Sequence, residues 1–335
     1  MKAFSTLLFL THCVAVVAGD RSTSVSVDEI RQAVQKAIPW IEKGAAGSSA
    51  HNKCFTCHNH GLPIVALTMA QRHGFDVEKN LEAQVEHTRK FLQSGKKRYE
   101  AKKGQGGGVL TAGYALWALN VAEHKPDDTT DLVASYVLGH QSGKDHWTKS
   151  GKRPPSDGNE FSVTYAALRA VSDYSPQDLQ DEKQRRFVSA KRWLEKTVPT
   201  DTEDAVFRIR SMRLLNSDVL DEAVDHLLEQ QRPDGGWAQT TDMKSDAYAT
   251  GTALATLLLD GNLDRNHAAV LTGVKYLLNS QLADGTWHVV TRANGFQPYY
   301  ESGFPHGEDQ FISMAASSWA VTALCASLPE RTVSE

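Results

Sequence analysis

A repeated Gln-x3-Gly-x-Trp pattern constrains the fold of this chain more than any other sequence feature. Two full copies begin at Gln231 and Gln281, 50 residues apart. Weaker copies at 141–147 and 93–99 keep the first and last positions, with Tyr in place of Trp in the second of them. A period near 50 residues is the size of a supersecondary unit, and such units stack to share one core. The pattern therefore predicts a chain built from repeated helical units.

Each unit is predicted to contain two helices with different hydrophobic patterns. The segment before the Gln is amphipathic, with apolar residues recurring in pairs every four positions, as in 219–228. The segment after the Trp is small and apolar on nearly every side, so it must be buried on every side. Six such inner helices are predicted at about 61–72, 111–121, 161–171, 204–215, 247–259 and 310–325. Their outer partners are predicted at about 27–43, 80–94, 129–140, 180–195, 218–230 and 266–280.

Six inner and six outer helices in alternation predict an all-α fold, a single (α/α)6 toroid over residues 24–328. The loops that precede the inner helices are expected to gather at one end of the ring. The formal net charge of −4 leaves no basic surface for nucleic acid, so no nucleic-acid partner is expected.

The first twenty residues predict export. An apolar run over 3–18 ends with Val16 and Ala18 at the −3 and −1 positions of a cleavage site before Gly19. The run is too short for a spanning helix, and no later stretch has the length of a stable membrane span. A signal peptide, residues 1–19, and a periplasmic or secreted protein are therefore expected. An uncleaved membrane anchor is the alternative.

The repeats resemble those of the squalene cyclase and protein prenyltransferase superfamily, whose domains are α/α toroids. Segments 54–58, 245–251 and 301–309 also resemble those of exported bacterial squalene-cyclase-like proteins that carry a CxxCH motif. We interpret the Gln and Trp residues as clamps between neighbouring repeats, so that they indicate fold and not function.

The resemblance does not extend to the zinc site of the prenyltransferases, which is formed by Asp-x-Cys at one inner helix and His at a later one. Asp246 matches the Asp, but Tyr248 and Ile312 stand at the positions of the Cys and the His. The zinc ligands of that family are therefore absent.

Cys54-Phe-Thr-Cys57-His58 is the sharpest local motif. In an exported chain, Cys-x-x-Cys-His is the pattern for c-type haem attachment, with two thiols for the vinyl groups and the His as proximal iron ligand. Closure of the ring is expected to bring His306 near His58. The candidate distal ligands, in order of preference, are His306, His60 and Met69.

Two other interpretations of this motif stay open. Cys54, Cys57 and a His could bind zinc, although the chain has only one such Cys pair. Alternatively, the two thiols form a disulfide in an oxidising compartment, with His58 capping the helix.

A second candidate site begins the fourth inner helix. Asp201-Thr-Glu203-Asp204 resembles the Asp-x-Asp-Asp motif of class II terpene cyclases, whose middle acid protonates an alkene. The resemblance implies that Glu203 is the acid, with Asp204 beside it. An apolar cavity can keep such an acid neutral by raising its pKa. The alternative is structural, because Thr200-x-x-Glu203 is also a capping box.

The long loop before the last inner helix carries aromatic and acidic residues together with His306. Asp309 is a candidate catalytic residue in this loop, and capping of the helix is the alternative. Asp246 and Glu160 also begin inner helices, where we interpret them as caps.

Three functional hypotheses follow. The leading one is a central cavity that binds an apolar, isoprenoid-like or other small ligand, with a haem at its mouth on Cys54, Cys57 and His58 and a redox partner. The second is an acid-initiated cyclase or isomerase that uses Glu203 and Asp204. The third is a non-catalytic scaffold with a Cys54–Cys57 disulfide.

Overall fold

A computed structural model describes residues 25–140, 145–149, 151–295 and 298–330. The predicted signal peptide and Gln141, the first residue of a weak repeat copy, lie outside the described residues. Within those ranges the chain is helical, and its one extended pairing is an isolated bridge between Arg153 and Asp157. None of the described helices combines the length and the apolar character needed to cross a bilayer.

The helices alternate between the inside and the outside of a ring. In chain order they are α1 (Val27–His51), α2 (Leu62–Arg72), α3 (Glu78–Ser94), α4 (Lys96–Glu100), α5 (Gly108–Val121), α6 (Asp128–Gly139), α7 (Glu160–Tyr174), α8 (Gln180–Lys196), α9 (Thr202–Leu214), α10 (Leu220–Glu229), α11 (Ala247–Leu259), α12 (Ala268–Ser280) and α13 (Gln310–Ser327). The inner helices are α2, α5, α7, α9, α11 and α13, and each coincides with a predicted inner segment. Helix α4 is a short additional turn, and α1 extends eight residues beyond its predicted end.

The inner helices form a closed ring. Each packs against the next, and α13 packs against α2, so the chain is not an open superhelical stack. Two glycines allow close approaches between inner helices: a Cβ on Gly113 would lie 2.7 Å from the backbone of Ala166, and one on Gly251 would lie 2.9 Å from that of Ala320. The predicted toroid is confirmed.

The repeat motif clamps neighbouring units, as predicted. The indole nitrogens of Trp237 and Trp287 each donate at 2.8 Å to a carbonyl of the preceding outer helix. The Gln231 amide bridges its own turn to Ala269 in α12. Gln281 makes the same bridge to Ala33 in α1, at 2.8 Å, and so ties the last outer helix to the first.

The contact between the last repeat turn and α1 also requires the glycine of the motif. Gly285 has φ +95°, in the left-handed region, and a Cβ there would lie 2.6 Å from the carbonyl oxygen of Lys36 in α1. A side chain at this position would therefore separate the two ends of the ring.

Aromatic side chains from several inner helices meet in the interior of the ring. The Trp117 ring contacts Tyr114, Tyr165 and Trp319, which come from three different inner helices. Phe207 packs against Tyr165. All five rings are buried, so the centre of the ring, where the cavity was predicted, is surrounded by aromatic side chains.

Candidate functional site

Glu203 and Arg210 both project from α9 into the ring. They are seven residues apart, which places them on one face of the helix and about 10 Å apart along its axis. Glu203 is 3% exposed and Arg210 is 5% exposed. The two residues divide the interior into two layers. The mouth layer contains Glu203, Tyr248 and Cys57, and the deep layer contains Arg210, Trp117, Tyr165, Trp319 and Asp260. Tyr114 lies between the two layers, with its ring against Trp117.

The start of α9 leaves Glu203 free of any capping role. Asp201 is the N-cap, and its Oδ1 accepts from the Asp204 amide at 2.9 Å. The Asp204 carboxylate in turn accepts from the amide and the hydroxyl of Thr200, at 3.0 and 2.6 Å. The predicted capping box of Thr200 with Glu203 is therefore wrong by one residue, because Asp204 fills that role.

The environment of Glu203 favours its neutral form. The Tyr248 hydroxyl donates to Oε1 at 3.0 Å, whereas Oε2 is buried without a hydrogen-bond partner in the part of the chain that the structure describes. Burial, followed by the nearby charge of Asp201, raises the pKa of Glu203 to about 8. Glu203 is therefore a carboxylic acid at neutral pH, with Oε2 available to carry the proton.

Tyr114 connects Glu203 to the cysteine motif. Its ring packs near Gly61, the last residue of the π-helical turn Cys57–Gly61, where an added Cβ would lie 3.6 Å from Tyr114 Cδ1. Burial, followed by the charges of Cys57 and Glu203, raises the pKa of Tyr114 well above its usual range. Its hydroxyl has no hydrogen-bond partner among the described residues. Tyr114 therefore lies between the two sequence-predicted sites as a neutral donor.

The deep layer surrounds a buried cation. The Arg210 guanidinium lies over the rings of Trp117, Tyr165 and Trp319, at 5.1 to 5.3 Å from their centroids. Asp260 Oδ2 is 3.4 Å from Arg210 Nε, so the two side chains form an ion pair. Burial of a guanidinium is tolerated here because the ring faces and this carboxylate offset its charge.

The Cys-x-x-Cys-His segment lies at the wall of the mouth. Cys54 is exposed, Cys57 is half-buried, and both are free thiols. Cys57 Sγ is 3.7 Å from His58 Nδ1, and burial with the nearby Asp157 charge raises the Cys57 pKa to about 11. Within the described ranges, no three His, Cys, Asp or Glu side chains converge as metal ligands would.

The structure separates the histidines that the sequence grouped together. His60 is buried, its Nδ1 accepts from the Thr56 amide at 3.0 Å, and its ring stacks on His87. His306 has different neighbours: its Nε2 lies 2.8 Å from Thr286 Oγ1, and its ring stacks on His288. Met69 packs against the core from α2. The expectation that His306 approaches His58 is therefore wrong.

Tyr300 and Phe311 take the place predicted for His306. The Phe311 ring lies 5.3 Å from that of His58. The Tyr300 hydroxyl lies 3.0 Å from Ser48 Oγ and accepts from Asn59 Nδ2 at 3.0 Å. The reason is the length of α1, along whose last turns the end of the loop runs before it reaches α13.

Asp309 holds the same loop to the start of α13. Its carboxylate accepts from His288 Nε2 and from the Thr291 amide, both at 2.8 Å, and makes no capping hydrogen bond. These hydrogen bonds and the adjacent His288 lower the pKa of Asp309 against the opposing effect of burial. Asp309 is therefore a carboxylate with two structural donors, apart from the mouth layer.

The other two predicted caps have different outcomes. Asp246 is the N-cap of α11 and accepts from the Ala249 amide at 2.9 Å, as predicted. Glu160 is not a cap, because Asn159 fills that position. The Glu160 carboxylate instead lies 2.9 Å from His146 Nε2.

Sequence reasoning missed Tyr114 and Tyr248 as parts of the site. Each is the single tyrosine of an inner helix that is otherwise composed mainly of small and apolar residues. A tyrosine in such a helix must be buried together with its hydroxyl group, and this pattern could have identified both residues from the sequence.

Comparison with known proteins agrees with this architecture. Residues 190–326 match the family model of the squalene-hopene cyclase C-terminal domain. A variant of the type II terpene cyclase MstE from Scytonema, in complex with geranylgeranyl dihydroxybenzoate, is similar with a TM-score of 0.56 and 13% identity, over 90% of this chain and 98% of that one. A protein from Actinoplanes is similar with a TM-score of 0.56 and 12% identity, over 89% and 99% of the two chains.

The same fold also occurs with other chemistry. The unsaturated glucuronyl hydrolase from Bacillus sp. GL1 is similar with a TM-score of 0.53 and 14% identity, over 88% of this chain and 96% of that one. At such identities the likeness shows the fold alone. The fold and the family match define the class: the chain is an α/α toroid that is similar over residues 190–326 to the squalene-hopene cyclase C-terminal domain, as the resemblance predicted.

Proposed function

We propose that the ring interior binds an apolar, isoprenoid-like molecule and that Glu203 protonates one of its double bonds, so that the protein is an acid-initiated terpene cyclase or isomerase. The observation that carries the proposal is the buried Glu203 carboxyl, which is neutral at pH 7 with Oε2 unpaired among the described residues. The fold shared with MstE, whose structures contain geranylgeranyl dihydroxybenzoate or merosterolic acid A, supports it.

The proton transfer follows from the contacts of Glu203. Its Oε2–H bond breaks, the proton forms a new C–H bond with the π electrons of the alkene, and the second alkene carbon becomes a carbocation. Tyr248 continues to donate to Oε1 and so stabilises the carboxylate that is left. The faces of the surrounding aromatic rings stabilise the cation. The cation later loses a proton to the Glu203 carboxylate, which restores the acid and leaves an isomer of the substrate.

Replacement of the acid tests this function. Glu203→Gln keeps the shape and the hydrogen bond from Tyr248 but has no acidic proton, so turnover of squalene or geranylgeraniol should fall below detection by gas chromatography. Glu229→Gln, at an exposed position that ends α10, is the control and should keep wild-type turnover. Wild-type rates in Glu203→Gln would contradict the proposal, and so would the absence of any product from squalene, geranylgeraniol and geranylgeranoic acid with the wild-type protein.

A second function is proposed for the cysteine motif, namely a covalent c-type haem bound through Cys54, Cys57 and His58. The two free thiols three residues apart support it. The lowered pKa of His58, which burial and Arg153 bring to about 4, supports it as well, because an iron ligand must be a neutral imidazole. Such a haem would supply one-electron redox chemistry at the mouth.

The absorption spectrum separates the possibilities at this motif. Protein from a strain competent in haem maturation should show a Soret band that survives denaturation and is lost in a Cys54→Ser, Cys57→Ser variant. A colourless product would exclude haem. Zinc in such a product would favour the metal alternative, and thiols unreactive until reduced would favour the disulfide scaffold.

Export of the protein is proposed together with the haem, and amino-terminal sequencing should find a mature chain that begins at Gly19.

A further inference from the structure

Three residues of the ring interior carry hydrogen-bond donors that have no acceptor. They are the Tyr114 hydroxyl, the Trp319 indole nitrogen, and Nε and Nη1 of Arg210, each buried and unpartnered within the described part of the chain. Buried donors in proteins are almost always paired, with protein, water or ligand. Their concentration in one interior therefore points to an acceptor group that belongs to another molecule.

The chemistry of that group follows from Arg210. Among the residues that the structure describes, Asp260 is the acid paired with it, at 3.4 Å from Nε, and it completes no hydrogen bond there. A guanidinium is a planar fork of donors that matches the two oxygens of a carboxylate. The rings of Trp117, Tyr165 and Trp319 that surround it fit an apolar chain attached to such a carboxylate.

We propose that the deep layer binds the carboxylate of an apolar carboxylic acid, with Arg210 as its counter-ion and Tyr114 and Trp319 as further donors. The proposal names the substrate class of the function proposed above and rests on it for the reacting double bond. Because Glu203 lies two helical turns nearer the mouth, that double bond would be about 10 Å from the carboxylate. The same distance keeps a carbocation away from the guanidinium.

Binding can be measured without turnover. In Glu203→Gln protein, quenching of tryptophan fluorescence should report geranylgeranoic acid, its methyl ester and geranylgeraniol, since Trp117 and Trp319 flank Arg210. At pH 7 the acid should bind at least about tenfold more tightly than the ester or the alcohol, as expected for hydrogen bonds to a charged group. Equal affinities would overturn the proposal.

Variants on the protein side locate the carboxylate. Arg210→Lys keeps the charge but loses the fork, and Trp319→Phe and Tyr114→Phe each remove one donor. All three should reduce the preference for the acid over the ester. Tyr99→Phe is the matched control, because its buried hydroxyl is also unpartnered among described residues but lies on α4, outside the ring.

The outcomes distinguish this proposal from the catalytic one. A preference for the acid that survives all three interior substitutions would place the carboxylate elsewhere and overturn the inference. If Arg210→Lys fails to fold, Trp319→Phe still decides, because it leaves the ion pair in place. If the protein prefers the acid but the wild type turns over none of the compounds, the carboxylate site is retained and the cyclase is refuted. If the wild type turns over neutral polyprenes and shows no preference for the acid, the cyclase is retained and the carboxylate site is refuted.

Discussion

The Tyr248 hydroxyl donates a hydrogen bond to Glu203 Oε1 at 3.0 Å, and this contact joins the second residues of α11 and α9 across the ring interior. It lowers the pKa of Glu203, whereas burial and the charge of Asp201 raise it, and the raising effects are larger. The position of Glu203 in the ring therefore determines its protonation, and four predictions follow from this pair and from the ring that holds it.

The free energy of unfolding should fall as the pH rises through the range set by Glu203. Its pKa is raised from 4.5 to about 8, so the folded state binds more protons than the unfolded state between these values. The stabilisation is fully present below pH 4.5 and is lost as the pH approaches 8, by roughly a few kcal/mol. Urea unfolding of the wild type and of Glu203→Gln at pH 5 and 8 measures it. The prediction fails if the difference between the two proteins is the same at both pH values.

Tyr248→Phe should move the pH profile of turnover to higher pH. The substitution removes a hydrogen bond that lowers the pKa of Glu203, so the acid stays protonated further above pH 8. The maximal rate should also fall, because the carboxylate formed on proton transfer loses its donor. The pH dependence of kcat is the measurement. Tyr276→Phe, at a half-buried position on α12, should leave both quantities unchanged.

Asp201→Asn should move the same profile to lower pH without destabilising the fold. Asparagine caps a helix as well as aspartate does, so the free energy of unfolding should change by less than about 1 kcal/mol. The substitution removes a negative charge that raises the pKa of Glu203. Asp246→Asn, at the N-cap of α11, serves as the control because Asp246 does not contribute to the shift at Glu203. An unchanged pH profile in Asp201→Asn would show that burial alone sets the pKa.

Gly285→Ala should destabilise the ring at its closure. The left-handed φ and the 2.6 Å approach to Lys36 O leave no space for a methyl group, so a loss of about 2 kcal/mol or more is expected. Thermal unfolding measures it. Gly139→Ala, at a position where a Cβ meets nothing within 4 Å, is the control, and equal melting temperatures for the two variants would show that the closure tolerates a side chain.

The helices could be predicted from the sequence because their signals are local. Buried inner segments alternate with amphipathic outer ones along the chain, and Gln281 with Gly285 already carried the clamp that closes the ring. The end of α1 could not be predicted. Its last turns depend on packing against residues 300–304, which are about 250 positions away in the sequence.

The candidate site divides in the same way. The sequence pointed to Glu203 and to the cysteine motif, but it gave the wrong capping register at α9 and the wrong neighbour for His58. Which of two adjacent acids caps a helix and which enters the interior depends on a rotation of about 100° per residue, and this is fixed only when the helix packs.

The amino-acid order by itself determined the kind of the helices and the alternation of inner and outer ones, since hydrophobic periodicity and glycine positions act over a few residues. The tertiary structure decided that Glu203 meets Tyr248, that Arg210 lies among three aromatic rings, and that Phe311 rather than His306 reaches His58. These contacts join residues from different turns of the ring. Their partners depend on how the helices are rotated and how the loops run once the ring has closed, which no local pattern specifies.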